Sequence, residues 1–214
     1  MPTPPSRLAP GATDALLVVD VQNGFLPGGN LPVTRGDEVV PIVNRLAGAF
    51  ATVVLTQDWH PAGHRSFASS HPGASPFETR RLPYGEQVLW PDHCVQGTHD
   101  AAFAPGLAVP HAGLVLRKGW HREVDSYSAF NEADGSPTGL GGYLAQRGIR
   151  RVFLAGLATD FCVAWSALDA RAAGFDVVVV EDACRAIDLN GSLAAAWNSM
   201  ERAGVVRLTS SAIA

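Results

Sequence analysis

Apolar residues in this chain are concentrated in short runs, and between them lie segments with a helical pattern of apolar and polar positions. Several runs are apolar at consecutive positions, which is typical of strands buried on both faces of a sheet. The pattern predicts strands at residues 15–21, 52–58, 113–119, 151–157, 176–182 and 205–211. It predicts helices at residues 36–50, 138–149, 159–174 and 190–204. The last three helices end at or near a glycine, which is a common helix stop.

The alternation of strands and helices predicts a single α/β domain. Strand–helix–strand units produce a parallel sheet with helices on both of its faces. We therefore predict a three-layer α/β/α fold with a six-stranded, mostly parallel sheet over residues 14–214, preceded by a flexible leader at residues 1–13. Residues 59–111 interrupt the alternation and are rich in His, Pro, Gly and Ser. A segment of this length in a compact domain is usually functional.

The composition narrows the classes of partner. Apolar residues make up 47% of the 214 residues and charged residues 17%, as in ordinary globular domains. The net charge of −4, without a basic stripe, argues against a nucleic-acid partner. No apolar run approaches the roughly 20 residues of a membrane span, and the N-terminus lacks a signal-peptide core. The three cysteines are not spaced as in a disulfide framework, so we expect free thiols and a cytoplasmic protein. The sequence leaves open whether the protein is a monomer or a homo-oligomer.

Four reactive side chains follow four different predicted strands. Asp20 and Asp58 lie at the ends of the first two strands, Lys118 lies near the end of the third, and Cys162 follows the fourth. Sites in open parallel sheets gather at the carboxyl ends of the strands. Each residue alone has an ordinary interpretation, because strand-end Asp often caps a turn, strand-end Lys is often solvated, and a lone Cys is often a small buried hydrophobe. Their joint position at one edge of the sheet favours a reactive site.

The turn that carries Cys162 favours a nucleophilic thiol. Thr159 or Asp160 is a suitable N-cap, which places Cys162 in the first turn of the following helix. The free N–H groups and the dipole of that helix favour the thiolate, and a nearby lysine would lower the pKa of the thiol further. The same N–H groups can hold the oxyanion of a tetrahedral intermediate. Cys184 lacks such a turn and is interpreted as structural; Cys94 is either structural, the favoured interpretation, or a soft metal ligand.

Five of the seven histidines fall between residues 60 and 99 of the long segment, at His60, His64, His71, His93 and His99. Asp58, His60 and His64 leave one strand end together, and His93 can return to complete a site. Mixed imidazole and carboxylate ligands suit Zn²⁺, Fe²⁺ or Mn²⁺. A solvated, histidine-rich loop is an equally weighted alternative. The spacing does not decide whether His64 or His71 joins the site.

Five stretches of the sequence resemble the bacterial nicotinamidases of the isochorismatase-like cysteine hydrolase superfamily. They are LLVVDVQNGFLPGGNLPV, TQDWHPAGHRSFASSHPG, LWPDHCVQGT, RKGWHREVDSYSAF and GLATDFCV. WPDHCVQGT and DSYSAF are specific to the nicotinamidase branch, whereas VDVQN and the cysteine turn are shared more widely. The match runs in order from about residue 14 to the C-terminus, and it implies an isochorismatase-like fold.

The resemblance implies a triad of Asp20, Lys118 and Cys162, which the strand-end argument also selects. The implied reaction is hydrolysis of nicotinamide to nicotinate and ammonia through a thioester on Cys162, as a step of NAD salvage. Asp20 then moves the proton between the thiol and the departing ammonia, and Lys118 holds Asp20 and Cys162 in register. The N–H groups of Ala158 and Cys162 stabilise the oxyanion.

The resemblance also implies a divalent metal ion and an aromatic pocket. The implied ion is Zn²⁺, with Fe²⁺ and Mn²⁺ as alternatives. Its implied role is to orient the pyridine nitrogen of the substrate. The positions that match its ligands are Asp58, His60 and His93. Either His64 or water completes its coordination. The walls of the ring pocket fall on Phe25, Trp90 and Tyr127, with core packing as the alternative role of Trp90. A cis peptide bond is implied between Leu157 and Ala158.

Three other functions remain open from the sequence. The chain can hydrolyse another small amide or an enol ether, against which the histidine-rich segment and WPDHC argue. Metal-bound water can be the nucleophile, which would make Cys162 structural. The chain can also be a metal-binding or metal-buffering protein without turnover, which an assay for ammonia release from nicotinamide would distinguish.

Overall fold

The computed structural model describes residues 7–214 and shows eight strands and four α-helices over that range. The strands are β1 (Asp14–Val19), β2 (Thr52–Asp58), β3 (Thr79–Leu82), β4 (Gly85–Val88), β5 (Leu114–Lys118), β6 (Arg151–Leu157), β7 (Asp176–Arg185) and β8 (Val206–Leu208). The helices are α1 (Val39–Ala47), α2 (Leu140–Gln146), α3 (Ala164–Ala172) and α4 (Ser192–Arg202).

Six of these strands form one sheet in the order β5-β2-β1-β6-β7-β8, in which every neighbouring pair is parallel. The inner strands β1, β2 and β6 are buried on both faces, so that successive residues of one strand enter two different cores. Leu16 and Val18 pack with α1 on one face, whereas Ala15 and Leu17 pack with α2, α3 and α4 on the other. The predicted three-layer α/β/α fold is therefore confirmed.

The segment at residues 59–111 contains a feature that the pattern did not predict. β3 and β4 pair as a separate antiparallel hairpin. Their residues are mostly polar and partly exposed, so they lack the apolar alternation that indicates a strand. β2 and β6 have the predicted bounds, whereas β7 extends to Arg185 and β8 is shorter than predicted.

Part of the predicted leader, residues 1–6, lies outside the described residues. Within the described part, two backbone hydrogen bonds join Leu8 to the C-terminal residues. The N–H of Leu8 donates to the carbonyl of Ala212 at 2.8 Å, and the carbonyl of Leu8 accepts from the N–H of Ala214 at 3.0 Å. Among residues 7–214, no helix combines the length and the apolar character that crossing a membrane requires.

Gly156 allows two functional strand ends to approach each other. It lies in β6 opposite Val19 of β1 and has a φ of +127°. A Cβ atom at this position would lie 2.0 Å from the backbone oxygen of Val19, so only glycine permits this approach. Asp20 follows Val19 directly, and the turn that carries Cys162 follows β6.

Candidate active site

Asp20, Lys118 and Cys162 meet at the carboxyl edge of the sheet. The Nζ atom of Lys118 lies 2.8 Å from Oδ2 of Asp20 and 3.4 Å from Sγ of Cys162. All three side chains are buried. They come from the ends of β1, β5 and β6, as the strand-end argument predicted, because parallel strands end at the same edge.

Lys118 connects the triad to a second carboxylate. Its Nζ atom also lies 2.9 Å from Oδ1 of Asp58 and donates to the carbonyl of Ser126 at 3.1 Å. Burial alone would lower the pKa of Lys118, but the carboxylates of Asp20 and Asp58 raise it well above its usual value. Lys118 is therefore a fixed cation and not a proton donor to the reaction.

Replacing Lys118 with methionine is expected to lower the free energy of unfolding by about 3–5 kcal/mol, because it leaves buried carboxylates without their cation. Equilibrium unfolding in urea would measure the loss. Arg35→Met is the control, since Arg35 forms an exposed ion pair with Glu38 at 2.8 Å, and breaking an exposed pair has little effect on stability. Equal losses in the two variants would show that the buried ammonium does not stabilise the fold as we describe.

Asp20 is held in an orientation that suits a proton acceptor. Its backbone is left-handed, with φ of +47°, and the hydroxyl of Thr56 donates to its Oδ1 at 2.6 Å. Burial raises the pKa of Asp20, against the opposing effect of the Lys118 ammonium. This carboxylate therefore takes up a proton more readily than one at the protein surface.

The turn that carries Cys162 differs from the prediction. Residues Thr159–Val163 form a π-helical turn ahead of α3, and neither Thr159 nor Asp160 caps it with its side chain. The predicted N-cap is therefore wrong. The carboxylate of Asp160 instead accepts hydrogen bonds from the backbone of the loop after β7. The predicted cis peptide bond between Leu157 and Ala158 is present.

The predicted stabilisation of the thiolate is also wrong. Burial raises the pKa of Cys162 well above its usual value, and the lowering effect of Lys118 does not offset it. The nearby carboxylates of Asp20 and Asp58 raise it further. Cys162 is thus a thiol at rest, and its attack on a substrate requires a base beside it.

Asp58, His60 and His93 form a group with the geometry of a metal site. Oδ2 of Asp58 lies 3.2 Å from Nε2 of His60 and 3.4 Å from Nε2 of His93. The Nδ1 atoms of both histidines are 2.9 Å from backbone carbonyls, those of Gly119 and Pro91. A carbonyl only accepts, so each Nδ1 carries a proton, and in the neutral ring each Nε2 is left to offer its lone pair to a metal ion on the side of Asp58. This donor set fits a divalent cation.

The charges around this group favour the same conclusion. Carboxylates from Asp20, Asp58 and Asp125 are buried near one another, whereas Lys118 is the one ammonium among them. A divalent cation would balance the excess negative charge. Asp125 was not identified from the sequence; it lines the cavity and accepts a hydrogen bond from Gln87 at 2.8 Å. Its only sequence signal is its place in the DSYSAF stretch.

His64 and His71 lie outside this group. Both nitrogens of His64 bond to the protein: Nδ1 to the hydroxyl of Ser66 at 2.7 Å, and Nε2 to backbone carbonyls in the loop at 121–124, the nearer at 2.8 Å. Burial lowers the pKa of His64 to about 4, so the ring is neutral. It packs against the ring of His60, with ring centroids 4.3 Å apart. Nε2 of His71 bonds to a backbone carbonyl at 2.8 Å.

A cavity lies beside the triad and the metal group. Phe25, Trp90 and Tyr127 line it, as predicted. Sequence reasoning missed Phe161 and Ile187, which also line it. Phe161 packs edge-to-face against Trp90, with ring centroids 4.9 Å apart. The indole N–H of Trp90 donates to the hydroxyl of Tyr127 at 2.9 Å, which fixes both rings as one wall.

Ala158 and Cys162 also line the cavity. The other two thiols lie elsewhere: Cys94 is fully buried in one core cluster and Cys184 is buried in the other. Burial raises the pKa of both, to about 12 for Cys184. Neither lines the cavity, which agrees with their interpretation as structural thiols.

Comparison with known proteins identifies the family. The sequence pattern of the isochorismatase domain matches residues 14–212. A nicotinamidase from Acinetobacter baylyi is 59% identical over 197 residues, which cover 92% of each chain. The solved structure of a nicotinamidase and pyrazinamidase from Acinetobacter baumanii superposes with a TM-score of 0.93 at 61% identity, over 94% of this chain and 98% of that one.

A more distant structure carries a metal. The pyrazinamidase of Pyrococcus horikoshii, solved in complex with zinc, superposes with a TM-score of 0.76 at 33% identity, over 92% of this chain and 99% of that one. The family match spans the strand ends and all the cavity residues described above. The chain therefore belongs to the isochorismatase family and, within it, to the branch of the nicotinamidases.

Proposed function

We propose that this protein is a nicotinamidase, which hydrolyses nicotinamide to nicotinate and ammonia and so supplies NAD salvage. The observation that carries the proposal is the position of the Cys162 thiol in the wall of an aromatic cavity, with Lys118 in contact with both Cys162 and Asp20. A lining of several aromatic side chains with a few polar groups is typical of small-molecule sites and suits a single aromatic ring. The relatives at 59% and 61% identity, both described as nicotinamidases, support it.

In the first half of the reaction, the carboxylate of Asp20 takes the proton of Cys162. The sulfur attacks the carboxamide carbon and forms a tetrahedral intermediate, whose oxyanion accepts hydrogen bonds from the N–H groups of Ala158 and Cys162. Asp20 gives the proton to the amide nitrogen, and the C–N bond breaks. Ammonia departs, and the acyl group remains on Cys162 as a thioester. The raised pKa of Asp20 supports this role, because the group must hold the proton between the two steps.

In the second half, water replaces ammonia beside Asp20. Asp20 takes a proton from the water as it attacks the thioester carbon, and the same N–H groups hold the second oxyanion. The C–S bond breaks, nicotinate leaves, and Cys162 recovers its proton. Lys118 keeps its charge throughout and holds Asp20 and Cys162 within contact of one ammonium.

We propose Asp58, His60 and His93 as ligands of a divalent metal ion, with Zn²⁺ favoured by the donor set and by the zinc complex of the relative from Pyrococcus horikoshii. Such an ion would supply a Lewis acid that orients the pyridine nitrogen of the substrate, directly or through its bound waters. His64 is not proposed as a ligand, because both of its ring nitrogens bond to the protein. Water would complete the coordination.

Removing the metal by chelation is expected to weaken binding of nicotinamide and nicotinate and to leave the thiol of Cys162 reactive toward iodoacetamide. Lys118 contacts both the sulfur of Cys162 and the carboxylate of Asp20, and neither contact involves His60 or His93, so the thiol and its base stay beside one ammonium. Titration calorimetry with nicotinate and the rate of Cys162 alkylation would measure the two effects. His93→Ala should behave like the chelated protein. Unchanged nicotinate affinity after chelation would refute the proposed role of the ion.

An assay of both products tests the function itself. The purified, metal-loaded protein should release ammonia and nicotinate from nicotinamide in equal amounts. Benzamide is the matched control substrate, since it has the same carboxamide and ring size but no ring nitrogen, and we expect it to be hydrolysed much more slowly. A protein that binds zinc and releases no ammonia would instead support the metal-binding alternative.

We also propose that the protein acts in the cytoplasm. All three of its cysteines are unpaired and buried, which suits a reducing compartment. A reducing compartment also preserves a nucleophilic thiol, because oxidation of Cys162 to a sulfenic acid or a disulfide would leave no thiol to deprotonate and attack the amide.

A further inference from the structure

The carboxylate of Asp160 has no part in the reaction above, although it lies two residues before Cys162 and is only 6% exposed. Both of its oxygens face one loop. Oδ1 accepts a hydrogen bond from the N–H of Ile187 at 3.1 Å, and Oδ2 accepts one from the N–H of Asp188 at 2.8 Å. Oδ2 also accepts the hydroxyl hydrogen of Ser192, the first residue of α4.

The loop that Asp160 holds has an unfavourable backbone conformation. Asp188 and Asn190 are left-handed, with φ of +55° and +53°, and Gly191 follows with φ of +84°. Residues with side chains avoid this region unless surrounding contacts impose it. The hydrogen bonds to Asp160 supply such contacts at both ends of the loop. Asp160 therefore determines the course of the chain between β7 and α4.

The same loop forms part of the cavity. The side chain of Ile187 lines it together with Phe161 and Cys162, and it packs against the core on the α1 face of the sheet. The N–H that Oδ1 of Asp160 holds belongs to Ile187 itself. A shift of this hydrogen bond would consequently move a wall of the cavity.

We propose that Asp160 is a positioning residue for substrate binding. Its carboxylate fixes the loop of Ile187 against the turn of Cys162, so that the Ile187 side chain closes one wall of the cavity on the substrate ring. This inference rests on the proposed function and adds a determinant of its affinity for the substrate ring.

The turn of Cys162 has supports that do not involve Asp160. The carbonyl of Ala158 accepts hydrogen bonds from the N–H groups of Phe161 and Val163, both at 3.1 Å. Lys118 contacts the sulfur from the other side. Loss of the Asp160 carboxylate therefore loosens the wall and leaves the nucleophile in place.

The variant Asp160→Asn tests the inference, because its amide has the same shape but presents an N–H₂ group to one of the donors of the loop. We expect KM for nicotinamide to rise about tenfold, the size of effect that a lost apolar contact has on recognition, with kcat retained. The rate of Cys162 alkylation should be unchanged. Asp182→Asn is the matched control: Asp182 also accepts a backbone N–H and a hydroxyl, those of Ser210 at 2.6 and 2.7 Å, but it does not line the cavity. Its KM should equal that of the wild type.

A double-mutant cycle shows whether Asp160 acts through Ile187. Ile187→Ala should raise KM to a similar extent, and the double variant should not exceed the larger single effect. Effects that multiply, or an unchanged KM in Ile187→Ala, would overturn the inference. Should Asp160→Asn not fold, Ser192→Ala takes its place in the cycle, since it removes one of the three hydrogen bonds.

The wild-type assay separates the two proposals. Absence of ammonia release by the wild-type protein would refute the proposed function. Normal wild-type turnover together with an unchanged KM in Asp160→Asn would refute the role of Asp160 alone.

Discussion

Replacing Cys162 with alanine is expected to reduce turnover of nicotinamide by about 10⁴-fold or more, because a residue that forms the covalent intermediate has no substitute. The other two cysteines do not line the cavity and cannot take over the role. Removing one buried sulfur atom leaves a small cavity and is expected to lower the free energy of unfolding by about 1 kcal/mol. The variant should therefore remain folded while losing its activity. Ammonia release and urea unfolding would measure the two effects.

Cys184→Ala is the control for this loss. Cys184 is a buried thiol of the same core cluster as Cys162, with a raised pKa, but it is absent from the cavity wall. Its alanine variant should lose a similar amount of stability and keep its activity. Substantial activity in Cys162→Ala would instead indicate that metal-bound water attacks the amide.

Asp20→Asn is expected to reduce kcat by about 10²–10⁴-fold, the usual cost of removing a general acid–base. The asparagine amide can keep the hydrogen bond from Thr56 but cannot accept the proton of Cys162. Since burial and the carboxylate of Asp20 both raise the pKa of Cys162, loss of this carboxylate should lower that pKa, and the thiol should react with iodoacetamide at least as fast as in the wild type although turnover is lost. Both rates would be measured on the same preparation.

Asp14→Asn provides the comparison for Asp20. Asp14 is a buried aspartate at the opposite end of β1 and pairs with Arg151 at 2.8 Å. Its variant should lose stability but retain kcat. A loss of only a few-fold in Asp20→Asn, similar to that of Asp14→Asn, would mean that Asp20 is structural and that another group is the base.

The sequence predicted the part of the site that depends on topology. Apolar runs locate strands, and parallel strands end at one edge, so Asp20, Lys118 and Cys162 could be assigned to one place without knowledge of the helices. Asp58 followed from the same argument. Its contact with Lys118, at 2.9 Å, links the triad to the metal group in a way that spacing alone does not reveal.

The features that sequence reasoning missed depend on side-chain geometry and burial. Helix position alone predicts a stabilised thiolate at Cys162, whereas the desolvation that reverses this effect is visible only after the cavity is built. Asp160 is of a residue type that often caps helices. Its side chain instead accepts a hydrogen bond from Ile187 in the loop after β7, 27 residues later in the chain. His64 has the spacing of a ligand, and only its contacts show that its nitrogens are engaged.

The relation between turnover and alkylation of Cys162 tests the central claim most directly. The metal-loaded protein is treated with increasing iodoacetamide, the modified fraction of each cysteine is determined by peptide mass spectrometry, and ammonia release from nicotinamide is assayed at every step. We predict that activity falls in proportion to the modified fraction of Cys162 and disappears when this residue is fully alkylated, with Cys94 and Cys184 unmodified. Activity that persists after complete alkylation of Cys162 would contradict the account.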